Sequence, residues 1–234
     1  MIRWLGPSDP FPPVDAALTD PNGLLAAGGD LTAPRLLDAY RRGIFPWSAD
    51  DEPILWWCPD PRMVLFVDEF KVSRSLRKRL RSGVFTVSAD RAFDQVMRGC
   101  AGPRADGDGT WITAAITRSY TALHRMGHAH SIETWRDGLL VGGLYGVSIG
   151  RMFFGESMFA RESDASKVAL ACLARQLERW GFSMIDCQMS TAHLATLGAR
   201  EIPRRDFVRR VQLLSAKPPV KTPWTLDPDL IGTF

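Results

Sequence analysis

Between Glu133 and Gln188 the apolar residues switch from a strand-like period to a helical one and back, and that switch confines the chain to an α/β architecture. The run ETWRDGLLVGGLYGV puts Asp137-Gly138 between two apolar stretches, a two-residue hairpin signal. RMFFGESMF follows as a third strand, interrupted at Gly155-Glu156-Ser157 where an ordinary buried strand stays apolar. The spacing then predicts a helix from about Asp164 to Trp180, capped by Ser163 or Asp164 and stopped by Gly181. Ala165, Ala169, Cys172, Leu173, Leu177 and Trp180 form one stripe, so this helix should lie on a sheet. FSMIDCQ closes the unit as a short central strand.

Strand alternation places Phe182, Met184, Asp186 and Gln188 on one face of that last strand. Asp is a poor strand former, and burying even a neutral polar group unpaired costs on the order of 2–7 kcal/mol. A carboxylate and an amide two positions apart therefore mark either a wet or occupied cleft or a structural hydrogen-bonded pair at the strand end.

Elsewhere the chain reads as a small domain over residues 1–62 and a larger one over 63–234. The first 31 residues are dense in Pro, Gly and Asp turn signals around the apolar step LLAA. A helix is predicted from Thr32 to Gly43, with Pro34 in its first turn. GIFPWSADDEPILWWCPDPR then reads as an aromatic loop whose tryptophans serve either a small core or an apolar or stacking ligand. MVLFVDE restarts as a strand. Next, KVSRSLRKRLR combines an apolar stripe of Val72, Leu76 and Leu80 with six cations and no acid. The whole chain carries only +3, so the remainder is net negative and the basicity is local. Basic faces that are merely solvated usually interleave acids, so a phosphate-binding face is the better reading.

A strand at 84–88, a helix from Asp90 to about Arg98, a Gly- and Asp-rich flexible loop at 100–111 and a helix from Thr113 to about Met126 follow. His128 and His130 lack an acidic or Cys partner at ligand spacing and read as strand-entry residues, and no metal is expected. A short helix ending at Gly198, a basic helix opened by Pro203 and an extended surface tail from Lys217 complete the chain. Cys58, Cys100, Cys172 and Cys187 share no CxxC spacing. With no run near the ~20 apolar residues of a membrane span and no secretory core in MIRWLGPSDPFPP, a cytoplasmic protein without membrane partners is expected.

The order of hairpin, strand, helix and strand resembles the acyl-CoA N-acetyltransferase (GNAT-like) fold, in which the acyl donor sits where two central strands splay apart. Those enzymes hold the CoA pyrophosphate on a glycine-rich turn at a helix N-terminus. Here that helix opens with RESDASK, which has no glycine, so CoA is disfavoured.

PNGLLAAGGDL, RGIFPW, ILWWCPDPR, GTWIT, GHAHSIE, LVGGLYGV, FFGESMF, ASK, IDCQ and LGAREIPRRDF occur in order from Phe11 to Phe207 and resemble the leucyl/phenylalanyl-tRNA–protein transferase family. The resemblance implies an α/β protein whose larger, C-terminal domain is acetyltransferase-like, behind a small N-terminal one. It implies that Leu or Phe, and weakly Met, passes from aminoacyl-tRNA to the N-terminal amine of proteins beginning with Lys or Arg, marking them for N-end-rule degradation. Carried onto this sequence, the catalytic pair falls on Asp186 and Gln188 and the acidic recognition residue on Glu156. The amino-acid pocket falls on Trp47, Trp111, Tyr120, Leu144, Phe153, Leu173 and Ile185; two of these, Leu144 and Leu173, stand where the family pattern has Met and Phe. The tRNA-binding cluster falls on Arg74, Arg77, Lys78 and Arg81. An aminoacyl ester is already activated, so no ATP, metal or other cofactor is implied. A CoA-dependent N-acyltransferase and a non-catalytic RNA-binding module are the alternative readings.

Overall fold

The computed structural model describes residues 2–49, 52–102 and 110–234. Near the N-terminus, β1 (Arg3–Leu5) and β2 (Leu24–Gly28) pair in parallel and lead into α1 (Ala33–Arg41). Thr32 is its N-cap, Pro34 lies in its first turn, and Gly43 takes φ 76° beyond its end. The stretch expected to be an aromatic loop instead supplies β3 (Phe45–Pro46) and β4 (Leu55–Trp57), giving a four-stranded sheet of order β1-β2-β4-β3. Trp56 is wholly buried, with Phe11 edge-on at 4.8 Å, whereas Trp47 is 43% exposed.

The second sheet opens with β5 (Arg62–Phe66). After α2 (Arg74–Arg81) come β6 (Thr86–Ala89), α3 (Phe93–Ala101), α4 (Ala114–Arg125) and β7 (Ala129–Arg136). At the hairpin, Asp137 and Gly138 adopt φ 50° and 76°, the paired left-handed conformation of a type I′ turn. β8 (Leu139–Ile149) returns antiparallel and β9 (Met152–Ala160) continues the meander. α5 (Ala165–Arg179) then crosses to β10 (Met184–Gln188), parallel to β9, followed by α6 (Ala192–Thr196), β11 (Arg200–Ile202) and α7 (Arg204–Ser215). The seven strands run β11-β5-β10-β9-β8-β7-β6, so β10 is internal, as its apolar run implied. Gly146 makes the middle of β8 possible: a Cβ there would stand 2.3 Å from the Phe154 carbonyl oxygen.

The structure departs from three expectations. α5 is buried well beyond one stripe, taking in Val168, Leu170, Ala171 and Gln176, because it packs on β7, β8 and β9 beneath and on α2 and the turns at 67–69 and 230–233 above. α3 starts at Phe93 and not at Asp90, since Asp90 adopts φ 56° and turns its carboxylate inward to His130 Nδ1 at 2.8 Å. The histidine at 130 thus has the acidic partner that sequence spacing lacked. The C-terminal tail runs mostly exposed and without helix or strand from 217 to 229, but it is anchored where a surface strap would not be: Trp224 is buried, stacks on the His130 ring at 3.8 Å, and donates its backbone N–H to Asp90 Oδ2 at 2.8 Å. The flexible-loop expectation at 100–111 falls largely on 103–109, outside the described residues.

The two sheets share one apolar core. Trp56 of the first and Tyr40 of α1 belong to the same cluster as Tyr145 and Phe154 of the second and Phe207 of α7.

Candidate active site

β9 and β10 hydrogen-bond only briefly, with Phe153 opposite Ile185 and Phe154 opposite Asp186, while β9 runs on to Ala160. Beyond Phe154 the two strands splay. Each bulges at the splay: in β9 Tyr145 faces Ser157 and Gly146 faces Gly155, leaving Glu156 as the extra residue. In β10 the register with β5 slips between Asp186 and Gln188, and Gln188 takes φ 55°. The slip breaks the simple alternation expected of Asp186 and Gln188. Nonetheless Asp186, Cys187 and Gln188 all line the cleft that opens there.

The cleft holds about 500 Å3. Leu144, Phe153, Leu170, Leu173 and Ile185 make its apolar side, and Glu156, Asp186 and Gln188 its polar one. Of the side-chain pocket inferred from sequence, Leu144, Phe153, Leu173 and Ile185 are therefore together. Trp47, Trp111 and Tyr120 are not among the lining residues: Trp47 packs edge-on to Trp57 at 5.7 Å, Trp111 packs against the main core, and Tyr120 is fully buried behind the cleft wall. Leu170 lies outside the set inferred from sequence, although it precedes Leu173 by three residues on the same helix and that spacing could have flagged it.

Asp186 is wholly buried and forked onto Arg62, Nε to Oδ1 at 2.8 Å and Nη2 to Oδ2 at 2.7 Å. The guanidinium lies between the rings of Phe45 and Phe207, 4.6 and 4.5 Å from their centroids. Oδ1 of Asp186 also accepts the Gln188 backbone N–H at 3.0 Å. So the carboxylate braces the bulge that aims Gln188, and its oxygens are already engaged. Gln188 Nε2 is buried and finds no acceptor among the described residues. Arg62 carries a faint signal in the sequence, as the lone charge entering the apolar run MVLFV, and the sequence reading does not single it out.

Glu156, from β9, is the second carboxylate lining the cleft. Tyr40 of α1 donates to its Oε1 at 2.7 Å, Tyr120 of α4 to its Oε2 at 3.1 Å, and the two hydroxyls touch each other in a short hydrogen bond. Burial pushes the Glu156 carboxyl up to about 7, against the pull of the two tyrosine hydroxyls. Tyr120, expected in the side-chain pocket, is thus found bonded to the Glu156 carboxylate, and Tyr40 joins it there.

On α2, Ser73 accepts the Leu76 N–H as N-cap, and Leu76 and Leu80 are buried. Arg74, Arg77, Lys78 and Arg81 project from the face opposite those leucines and are exposed. No acid pairs with any of the four among the described residues; Arg81 Nε donates to the Phe234 backbone oxygen at 2.6 Å. Thr191, the N-cap of α6, and His193 and Leu194 within it border the cleft, and Leu197 just past its end accepts the Lys71 N–H at 2.9 Å just ahead of α2. The cleft mouth and the basic helix are therefore neighbours.

Residues 64–212 match the family model of leucyl/phenylalanyl-tRNA protein transferase, and residues 29–60 match the model of its N-terminal domain. A relative from Nitrosospira multiformis called leucyl/phenylalanyl-tRNA–protein transferase is 64% identical over 92% of each chain. Another of that name from Nitrosomonas europaea is 60% identical over 97% of this chain and 96% of its own. Looser likenesses among solved structures reach FemX (TM-score 0.48, 11% identity, 77% of this chain and 71% of that one) and a GCN5-related N-acetyltransferase from Kribbella flavida (TM-score 0.35, 11% identity, 72% and 59%). With the family model matched over residues 64–212 and relatives of that name at 60–64% identity along nearly the whole length, the chain belongs to the leucyl/phenylalanyl-tRNA protein transferase family.

Proposed function

We propose that this chain is a cytoplasmic aminoacyltransferase that moves Leu or Phe, and Met more slowly, from aminoacyl-tRNA to the N-terminal amine of proteins beginning with Lys or Arg. The product is the tag read by N-end-rule degradation. The observation that carries this reading is the cleft at the β9–β10 splay, which sets an apolar side against a polar one in a single cavity.

An unbranched or aromatic side chain on the donor packs against Leu144, Phe153, Leu173 and Ile185. The ester carbonyl then lies toward β10, where the unpaired Gln188 amide can donate to the oxygen on which negative charge develops. Glu156 faces the acceptor and offers negative charge to a cationic first residue. The donor is already an activated ester, so holding amine and carbonyl together supplies much of the rate. Asp186 acts through position: engaged by Arg62, it holds Gln188 in place. Arg74, Arg77, Lys78 and Arg81 take the tRNA phosphates. Trp47 and Trp111 are not among the residues lining the cavity and are left out of this side-chain pocket.

The test is direct. The protein is incubated with charged leucyl-tRNA and an Arg-initiated peptide, without CoA or ATP, and the peptide is analysed by mass. A leucylated peptide is expected. Acylation only when acyl-CoA is supplied, or tRNA binding with no product, would replace this reading. Valyl-tRNA should react more slowly than leucyl-tRNA, because branching at Cβ clashes near the ester.

A further inference from the structure

Aminolysis of an ester by a protein N-terminus has a proton to dispose of. The acceptor enters largely as an α-ammonium, whose ordinary pKa is about 7.7–8.0. The product amide has a single N–H, and the departing tRNA hydroxyl keeps one proton, so each turnover releases one more. A group at the cleft that takes it from the ammonium frees the nitrogen to attack at neutral pH, where most of the amine is still protonated.

The groups bordering the cavity narrow the choice. Asp186 is wholly buried, forked onto Arg62 through both oxygens and bonded to the Gln188 N–H, so its charge is already committed to the guanidinium. Cys187 is a thiol that burial holds protonated, well above its usual range. His193 stands at the exposed rim. Glu156 remains, and its surroundings are short of a proton. It is hydrogen-bonded to Tyr40 and to Tyr120, and those two hydroxyls are also bonded to each other. Three hydrogen bonds need three protons, whereas two tyrosines bring only two. A proton on Glu156 supplies the third and closes the ring: the carboxyl donates to one hydroxyl, that hydroxyl to the other, and the other back to the carboxyl.

We propose that Glu156, held by Tyr40 and Tyr120, is the general base that takes the proton from the acceptor's α-ammonium. This rests on the transferase reading above and deepens it. In the step, one N–H bond of the ammonium breaks and the Glu156 O–H bond forms. The freed nitrogen lone pair forms the N–C bond while the carbonyl π pair moves onto oxygen, next to the Gln188 amide. Collapse of the tetrahedral adduct breaks the C–O ester bond, and the leaving ribose oxygen takes a proton from the adduct's nitrogen. Glu156 later returns its proton to water. Tyr40 and Tyr120 are positioning residues. The groups facing the carboxyl are Tyr40 from α1, Tyr120 from α4, Asp186 from β10 and Arg62 from β5. Tyr145 of β8 packs edge-on to the Tyr120 ring at 5.7 Å. A carboxyl raised to about 7 by burial is close to matched with the ammonium it must deprotonate.

The experiment compares wild type, Glu156→Gln, Tyr40→Phe, Tyr120→Phe and His193→Gln, with leucyl-tRNA and an Arg-initiated peptide, from pH 6 to 9. Glu156→Gln is expected to lower kcat/KM about 100-fold at pH 7, in the range of general-base losses. The deficit should shrink about tenfold by pH 9, because solution then supplies the free amine. Each Tyr→Phe change removes a donor that favours the ionised carboxylate, so the acidic limb should move to higher pH. Those two variants carry the test should Glu156→Gln not fold. A Glu156→Gln deficit that is constant from pH 7 to 9 overturns the assignment, since simple pairing with an always-charged arginine side chain behaves that way. So does a limb unmoved in both tyrosine variants, or a pH-rescued deficit found in His193→Gln instead. If wild type itself makes no leucylated peptide, the transferase reading fails; if wild type is active and the deficit is flat, only the base assignment does.

Discussion

A guanidinium stacked between two phenyl rings with no exposed surface depends on its carboxylate partner, and this makes Asp186 a stability residue as well as a site residue. Asp186→Ala should cost about 3–5 kcal/mol in urea denaturation, because it strands the Arg62 charge. Removing both partners with apolar residues of similar size should cost clearly less. Loss of transfer in Asp186→Ala is therefore to be read on folded protein, beside its tRNA affinity. Glu156 has the opposite signature. Its folded pKa of about 7 lies above the ordinary 4.5, so the folded state keeps a proton that the unfolded chain has released between those values. Wild-type stability should then fall as pH rises from 4.5 to 7, and Glu156→Gln should gain on wild type across that window and hold the gain above it. Thermal melts at pH 4.5 and 8 measure this, and equal differences at both would contradict it. The polar pair on β10 was legible because Asp is out of place in a buried strand. Arg62 and Tyr40 were not, since their partners lie more than a hundred residues away and nothing local marks them strongly.

At the scale of single elements, the helices whose ends carry capping chemistry were readable. Thr113 and Ser73 accept N–H bonds three residues on, and Gly127 and Gly181 take left-handed φ just past their helices. Asp164 likewise takes the expected cap position of α5, at φ 68°, although its carboxylate pairs with Lys167 at 3.0 Å and makes no capping bond. On α2, burial of Leu76 and Leu80 fixes which way the cations face. The triple change Arg74→Ala, Arg77→Ala, Lys78→Ala should lower the log–log salt slope of tRNA binding by about 0.7–0.9 for each phosphate that is no longer neutralised. It should raise KM for leucyl-tRNA while sparing kcat. An aminoacyl-adenosine donor has no tRNA body, so the variant should use it as wild type does; equal impairment with both donors would make α2 structural or catalytic. Arg81 is left out of the set because its bond to Phe234 would mix docking of the tail with binding.

At the scale of the whole molecule, the α/β class and the central β9–α5–β10 unit followed from periodicity, while the tertiary closures did not. The tail is the plain case: a Pro-rich, polar run gives no local hint that Trp224 will slot against His130 under Asp90. Trp224→Ala should cost about 3–5 kcal/mol and raise amide exchange along β7, with thermal melts and hydrogen exchange as the measurements. The stacking of Arg62 has a temporal consequence. One ring comes from Phe45 and the other from Phe207, with the Asp186 partner between them in sequence. Chains are synthesised from the N-terminus, so during translation the early sheet and the β10 carboxylate emerge before the second aromatic face exists. A nascent chain that has not yet released Phe207 therefore holds an incompletely shielded arginine behind its cleft, and the site is complete only once α7 has emerged.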